Sequence, residues 1–166
     1  PVVHPNVYNE IHYIEDCFDF IFTFNKTLLE KNKEKYKFIP ADWVCIEKES
    51  HIVHDKTKMV SMIYSEKGDG DRPMRHEVAQ RFGNMIDLFG SGSPNGEASL
   101  KSKTLNEYRF SIAMENCLSD YYYTEKIIDC FITRNVPIYR GTSYISEFFD
   151  EKGIITWNEF HELEEI

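Results

Sequence analysis

Short apolar runs alternate with polar and amphipathic stretches along this chain, and the alternation predicts strands separated by helices. Phe18–Phe24 (FDFIFTF) is an aromatic run with the look of a buried strand. Lys26–Lys35 reads as a charged surface helix with Leu28 and Leu29 as its apolar contacts, broken at Phe38-Ile39-Pro40. Trp43–Ile46 is a second strand candidate, and the polar stretch Lys48–Lys58 reads as a linker. Met59–Tyr64 (MVSMIY) is the next strand, followed by the Gly- and Pro-bearing loop SEKGDGDRP. Met74, Val78, Ala79 and Phe82 share one helical face, so Met74–Phe82 reads as an amphipathic helix.

Met85–Phe89 is another strand, closed by GSGSPNGE, and a short connector at Leu105–Tyr108 leads into strand Arg109–Met114. Helix Thr124–Thr133, strand Val136–Tyr139, a short helix Ser143–Phe149, strand Ile154–Trp157 and a helix capped by Asn158 complete the series. Strands alternating with helices over short loops imply a parallel sheet covered on both faces. Strands such as MVSMIY and VPIY, apolar almost throughout, fit burial from both sides.

Composition narrows the classes. The chain has 166 residues, 42% of them apolar, with 12 Phe and 10 Tyr, enough for a core without metal or disulfide support. A net charge of −9 argues against broad nucleic-acid binding. No apolar run approaches the ~20 residues of a transmembrane helix. The expected setting is therefore cytoplasmic or peripheral to a membrane. Cys17, Cys45, Cys117 and Cys130 show no metal-binding spacing, and Cys117 and Cys130 read as small buried hydrophobes. The opening at Pro1 and the ending inside a helix suggest a piece of a longer chain.

Candidate chemistry concentrates between Arg109 and Gly141. Ligands in open α/β sheets gather where a strand's carboxyl end meets the following helix. Here that junction carries Asn116, Thr124, Glu125 and Lys126, with Thr124 as the N-cap and Glu125 at the positive end of the helix dipole. Ile127, Ile128 and Phe131 form the buried stripe, which leaves Glu125 and Lys126 at the mouth of the sheet. Lys126 suits a diphosphate, Glu125 suits sugar hydroxyls, and Asn116 can donate and accept. A capped surface helix with an ordinary charge pair has the same spacing, and spacing alone leaves both readings open.

The residues ENCLSDYYYTEKIIDCF, followed by VPIYRG, resemble the donor-binding signature of the α-1,3-fucosyltransferases, glycosyltransferase family 10. Upstream, KTKMVSMIYSEK, then Arg75 and Phe82 spaced as R-x-x-x-x-x-x-F, and IDLFG look like the elements that precede that signature. The resemblance covers residues 18–157. It implies the carboxy-terminal half of a GT-B fold, Rossmann-like, binding a GDP-sugar such as GDP-fucose and transferring the sugar with inversion to a glycan hydroxyl. It implies no separate cofactor and no metal. By position, Glu125 and Lys126 match the donor-holding pair, with Thr124 beside them, Asn116 the asparagine of F-E-N, and Tyr122 the tyrosine before x-T-E-K. Arg75 is the best match to the diphosphate arginine, and Arg72 and Arg81 are weaker candidates.

On this resemblance Arg75, Glu125 and Lys126 are the catalytic candidates. Residues 1–50 would be the end of an acceptor-side half with its connecting segment, and residues 51–166 the donor-binding domain. Met114 stands where many members carry Phe, and Arg134-Asn135 replace a commoner small-residue turn. The family's general base is a carboxylate in an amino-terminal motif, and neither Glu10 nor Glu15 stands in that context. A donor-binding fragment that transfers nothing therefore remains an alternative.

Asp69-Gly70-Asp71 could clamp a metal as a D-x-D motif, which would make a metal-dependent transferase a further alternative, but Asp and Gly there are good turn formers. Gly90–Gly96 lacks the Lys-Ser/Thr of a phosphate loop. His76 reads as an exposed helix residue, and Glu159, Glu162, Glu164 and Glu165 read as a solvated helix face.

Overall fold

In the computed structural model, residues 5–41, 44–64, 72–97 and 99–166 are described. The main sheet consists of β3 (Lys58–Ile63), β4 (Asp87–Phe89), β5 (Tyr108–Met114), β6 (Val136–Arg140) and β7 (Ile155–Thr156), all parallel, in the order β4-β3-β5-β6-β7. Parallel neighbours require crossovers. Helix α3 (Arg72–Phe82) connects β3 to β4, and α4 (Glu125–Ile132) connects β5 to β6. After β4 the chain passes back across β3 to place β5 on its other side. The strand order therefore reverses between β3 and β5, and the crevice beyond their carboxyl ends is the switch point of the sheet.

Successive residues of β5 feed opposite faces, as the period of two requires. Ile112 and Met114 join Met62, Ile138, Trp157 and Val78 of α3 in one core, with Leu163 of α5 (Phe160–Glu164). Ala113 joins Tyr139, Tyr123, Ile145 and α4's Ile127 and Cys130 in the other. Helices thus cover both faces, as the near-continuous apolar strands imply. Gly90, at φ +113°, ends β4 against the Tyr64 carbonyl, and a Cβ there would lie 1.9 Å from that oxygen.

A second, two-stranded parallel sheet pairs β1 (Ile21–Thr23) with β2 (Tyr36–Phe38) around α2 (Lys26–Lys31), after α1 (Pro5–Glu10). Asn25 caps α2 through Leu28 N–H at 3.1 Å. This helix stops at Lys31, short of the expected Lys35. The Asn32 side chain accepts from the N–H groups of Glu34 and Lys35, a local turn that competes with helix. The strand expected at Trp43–Ile46 does not form across Val44–Ile46, and Trp43 lies outside the described residues. There the Cys45 N–H goes to the Asp129 carboxylate at 3.0 Å instead of a ladder.

The expected linker is also docked. Lys56 Nζ donates to the carbonyl of Thr133 (2.5 Å), at the carboxyl end of α4, and to that of Asn106 (2.9 Å), just before β5. Ser143–Phe149 shortens to one 3₁₀ turn at Ile145–Glu147. The last helix is capped by Glu159 rather than Asn158, in a capping box closed by Glu162. Glu162 and Glu159 therefore work as caps and not only as a solvated face. No helix among the described residues is long and apolar enough to cross a membrane.

Candidate active site

Strand β5 ends at Met114 and delivers Glu115 and Asn116 into the switch-point crevice. Glu115 is fully buried. Its carboxylate accepts the Thr124 backbone N–H at 2.9 Å and the Thr124 hydroxyl at 2.7 Å, and it pairs with Lys126 Nζ at 3.3 Å. Thr124 occupies the N-cap position expected for it, but its hydroxyl donates to Glu115 and makes no cap bond to the helix. A carboxylate brought from the neighbouring strand thus caps α4 and complements its dipole.

Lys126 is held from two further sides, by Thr124 Oγ1 at 2.8 Å and Glu125 Oε1 at 3.5 Å. Glu125 also meets Lys101 Nζ at 3.4 Å. Burial pushes the Glu125 carboxyl upward, but the charges of Lys126 and Lys101 outweigh it and hold the group below the ordinary carboxylate range. Glu125 Oε2 is buried and has no hydrogen-bond partner.

Arg75 reaches the same crevice from the first turns of α3 and is 9% exposed. Its Nη2 donates to the Met114 carbonyl and, at 2.9 Å, to Asn116 Oδ1. Arg75, Lys101, Glu125 and Lys126 line one cavity of about 160 Å³, whose remaining wall includes Met62, Ile63 and Ala113. The loop leading to α4 holds Tyr121 at φ +58°, a strained conformation for a tyrosine.

The structure therefore brings Arg75, Asn116, Thr124, Glu125 and Lys126 to one crevice, with Arg75 bonded to Asn116 and Lys126 tied to Thr124, Glu115 and Glu125. Tyr122 stands apart from the cavity wall, wholly buried with its ring edge-on to Phe24 at 5.2 Å. Arg81 turns away, pairing with Glu77 (3.0 Å) and Glu164 (3.3 Å). The Arg72 side chain, Asp69 and Asp71 lie outside the described residues. His76 is half-buried rather than exposed and bonds Tyr64 Oη at 2.6 Å. Among the described residues, no three His, Cys, Asp or Glu side chains group as a metal site. Burial pushes the Cys130 thiol up to about 12, as suits an inert core cysteine.

Two participants have no role assigned by the sequence. Glu115 stood inside the signature but its partners lie on the next helix. Lys101 sits in a Lys- and Ser-rich stretch that reads as solvated surface.

Comparison with known proteins decides the family. The model of glycosyltransferase family 10 (fucosyltransferase), carboxy-terminal region, matches residues 53–166. The chain belongs to glycosyltransferase family 10. An α-(1,3)-fucosyltransferase of Helicobacter pylori is 23% identical over 147 residues, 78% of this chain and 31% of that protein. The chain thus spans about a third of that relative's length.

The fold is shared with solved α1,3-fucosyltransferases. A structure with GDP superposes at a TM-score of 0.68 with 18% identity, over 91% of this chain and 56% of the other. A structure with GDP-fucose superposes at 0.58 with 18% identity, over 97% and 50%. This family 10 chain thus has the Rossmann-like α/β architecture of a carboxy-terminal GT-B half.

Proposed function

We propose that this chain forms the donor-binding half of a fucosyltransferase, holding GDP-fucose or a related GDP-sugar for inverting transfer to a glycan hydroxyl. One observation carries the reading: Arg75 and Lys126, from different crossovers, line a single cavity at the switch point of the sheet. Two cations there suit a diphosphate, and the first-turn N–H groups of α4 add to the positive potential. As the glycosidic bond breaks, negative charge grows on the leaving diphosphate. The Arg75 fork and the Lys126 ammonium are already in place to stabilise it.

Glu125 supplies the complementary element. Its unpartnered Oε2 can accept a sugar hydroxyl, while Oε1 is tied to lysines. Glu115 and Glu125 are both committed to lysines, so their work is holding and not removal of the acceptor proton. Asn116 fixes the Arg75 guanidinium, and Tyr122 supports the loop through its packing on Phe24. Residues 1–50, whose strands form a sheet of their own, are read as the end of the acceptor-side half and its connection.

Calorimetric titration with GDP, UDP and ADP tests the reading. GDP should bind most tightly, and Lys126→Ala should cost ~1.5–3 kcal/mol of that binding. Equal affinity for all three nucleotides would remove the guanine assignment. GDP binding with no transfer from GDP-fucose to any glycan would favour a binding fragment.

A further inference from the structure

Lys101 belongs to none of the motif residues, yet its pair with Asp129, at 2.6 Å, is the shortest ion pair among the described residues beside the cavity. It emerges from the 3₁₀ turn Lys101–Thr104 before β5, a turn fixed by the Thr104 hydroxyl on the Lys101 carbonyl at 2.7 Å. Its Nζ lies 2.6 Å from Asp129 Oδ2 and 3.4 Å from Glu125 Oε1. Those two carboxylates stand one turn apart on the same face of α4. Asp129 is fully buried, and its other oxygen accepts the Cys45 N–H at 3.0 Å. Lys101 is thus fastened at one carboxylate and leans on the other.

We propose that Lys101 is a positioning residue: anchored by Asp129, it draws Glu125 Oε1 inward and leaves Oε2 aimed at the donor. The inference rests on the donor-binding reading of the same cavity. The charged groups around Glu125 are Lys126 from its own helix, Lys101 from the β4–β5 connection and Asp129 one turn on. Glu115, just past β5, pairs with Lys126, and Arg75 from α3 lines the same cavity. Of the two lysines touching Glu125, Lys126 is shared with Glu115 and the proposed diphosphate. Lys101 is the one also held by the buried Asp129. Burial pulls the Lys101 ammonium down, but its bond to Asp129 and the two acidic charges more than compensate, so it stays charged.

Titration of GDP into the whole chain from ~pH 4 to ~pH 7, which takes in the ordinary carboxylate range, tests this with Lys101→Met, Lys101→Arg, Glu125→Gln and the double variant Lys101→Met/Glu125→Gln. Lys101→Met should weaken GDP about tenfold. Its acid limb should move to higher pH, because Glu125 then ionises beside one lysine instead of two. Lys101→Arg should restore most of the affinity, and Lys101→Met should cost nothing further once Glu125 is Gln. Lys101→Met/Asp129→Asn, which removes the buried charge with its partner, carries the measurement if the single variant does not fold.

Wild-type affinity and an unmoved pH profile in the Met variants would overturn the proposal and leave GDP binding standing. Additive losses in the double variant would overturn it too, placing Lys101 on the nucleotide itself. A folded wild-type chain that does not bind GDP would remove the donor-binding reading and this inference together.

Discussion

The Glu115 carboxylate accepts both the backbone N–H and the hydroxyl of Thr124, at 2.9 and 2.7 Å, with no solvent exposure. One side chain just past the end of β5 therefore fixes the start of α4, the helix that carries Glu125 and Lys126. Strand end and helix start become a single rigid corner, which places the proposed diphosphate ligands on regular structure and not on a loop.

Glu115→Ala should accordingly destabilise the fold and not only the site. It strips two hydrogen bonds from the cap and leaves Lys126 without its buried partner. Removing one member of a buried pair costs ~3–5 kcal/mol, and Lys126 is partly exposed, so about 3 kcal/mol is expected. A urea midpoint lowered by that free energy divided by the m-value, with an unchanged slope, is the result to look for. A midpoint within experimental error of the wild type would remove Glu115 from the corner.

Gly141 closes the same corner from β6. A Cβ there would fall 2.1 Å from the Tyr139 hydroxyl and 2.9 Å from Glu115 Cγ. Tyr139 is itself buried in the core and has little room to give. Gly141→Ala should therefore cost ~1–3 kcal/mol by overpacking. It should also weaken GDP through the displaced Glu115. Gly153→Ala, which meets nothing within 4 Å, is the control that should stay near wild-type stability.

The legible parts of this chain were those where pattern and tertiary demand coincide. Strands β3, β5 and β6 are apolar because both faces are covered, and α4 carries Ile127, Cys130 and Phe131 on its buried side. Strand β2 was missed because Tyr36-Lys37-Phe38 is short and follows an asparagine turn that read as continuing helix. Val44–Ile46 was misread as strand because apolar content alone does not tell which partner takes a backbone N–H. Arg75, Asn116 and Lys126 were singled out because their types and positions match a signature, and the structure brings them to one crevice. Lys101 was not, because an ion pair between distant segments has no local pattern.

Alkaline pH should destabilise the protein through groups away from the site. Burial holds the Cys130 thiol proton up to about 12. Burial, with the hydrogen bond to Asp87 adding, does the same for the Tyr108 phenol, also to about 12. The unfolded chain releases these protons near 9 and 10. Between those values and about 12 the folded state binds more protons, so stability falls as pH rises. Urea midpoints should be level near neutrality and decline above pH ~9, less steeply in Tyr108→Phe. An undiminished midpoint at pH ~11 would contradict this assignment.

Phe38 ties the small sheet to the main one. From the end of β2 it stacks on Phe148 at 4.9 Å and meets Tyr121 and Tyr123 at 6.2 and 6.1 Å, the residues that flank Tyr122. Lys26 at the start of α2 adds a cation over the Tyr144 ring at 3.6 Å. A two-stranded sheet has little stability of its own, so these contacts should make both sheets unfold together. Heating should give one calorimetric transition in the wild-type chain. Phe38→Ala removes the centre of the cluster from a half-buried position, and about 2–3 kcal/mol should go with it, below the loss at a fully buried phenylalanine. The variant should then show an early transition confined to the first sheet. The strained Tyr121 turn would lose support at the same time, so GDP should bind more weakly even though Phe38 does not line the cavity. Two transitions already present in the wild-type chain would show that the sheets are not coupled.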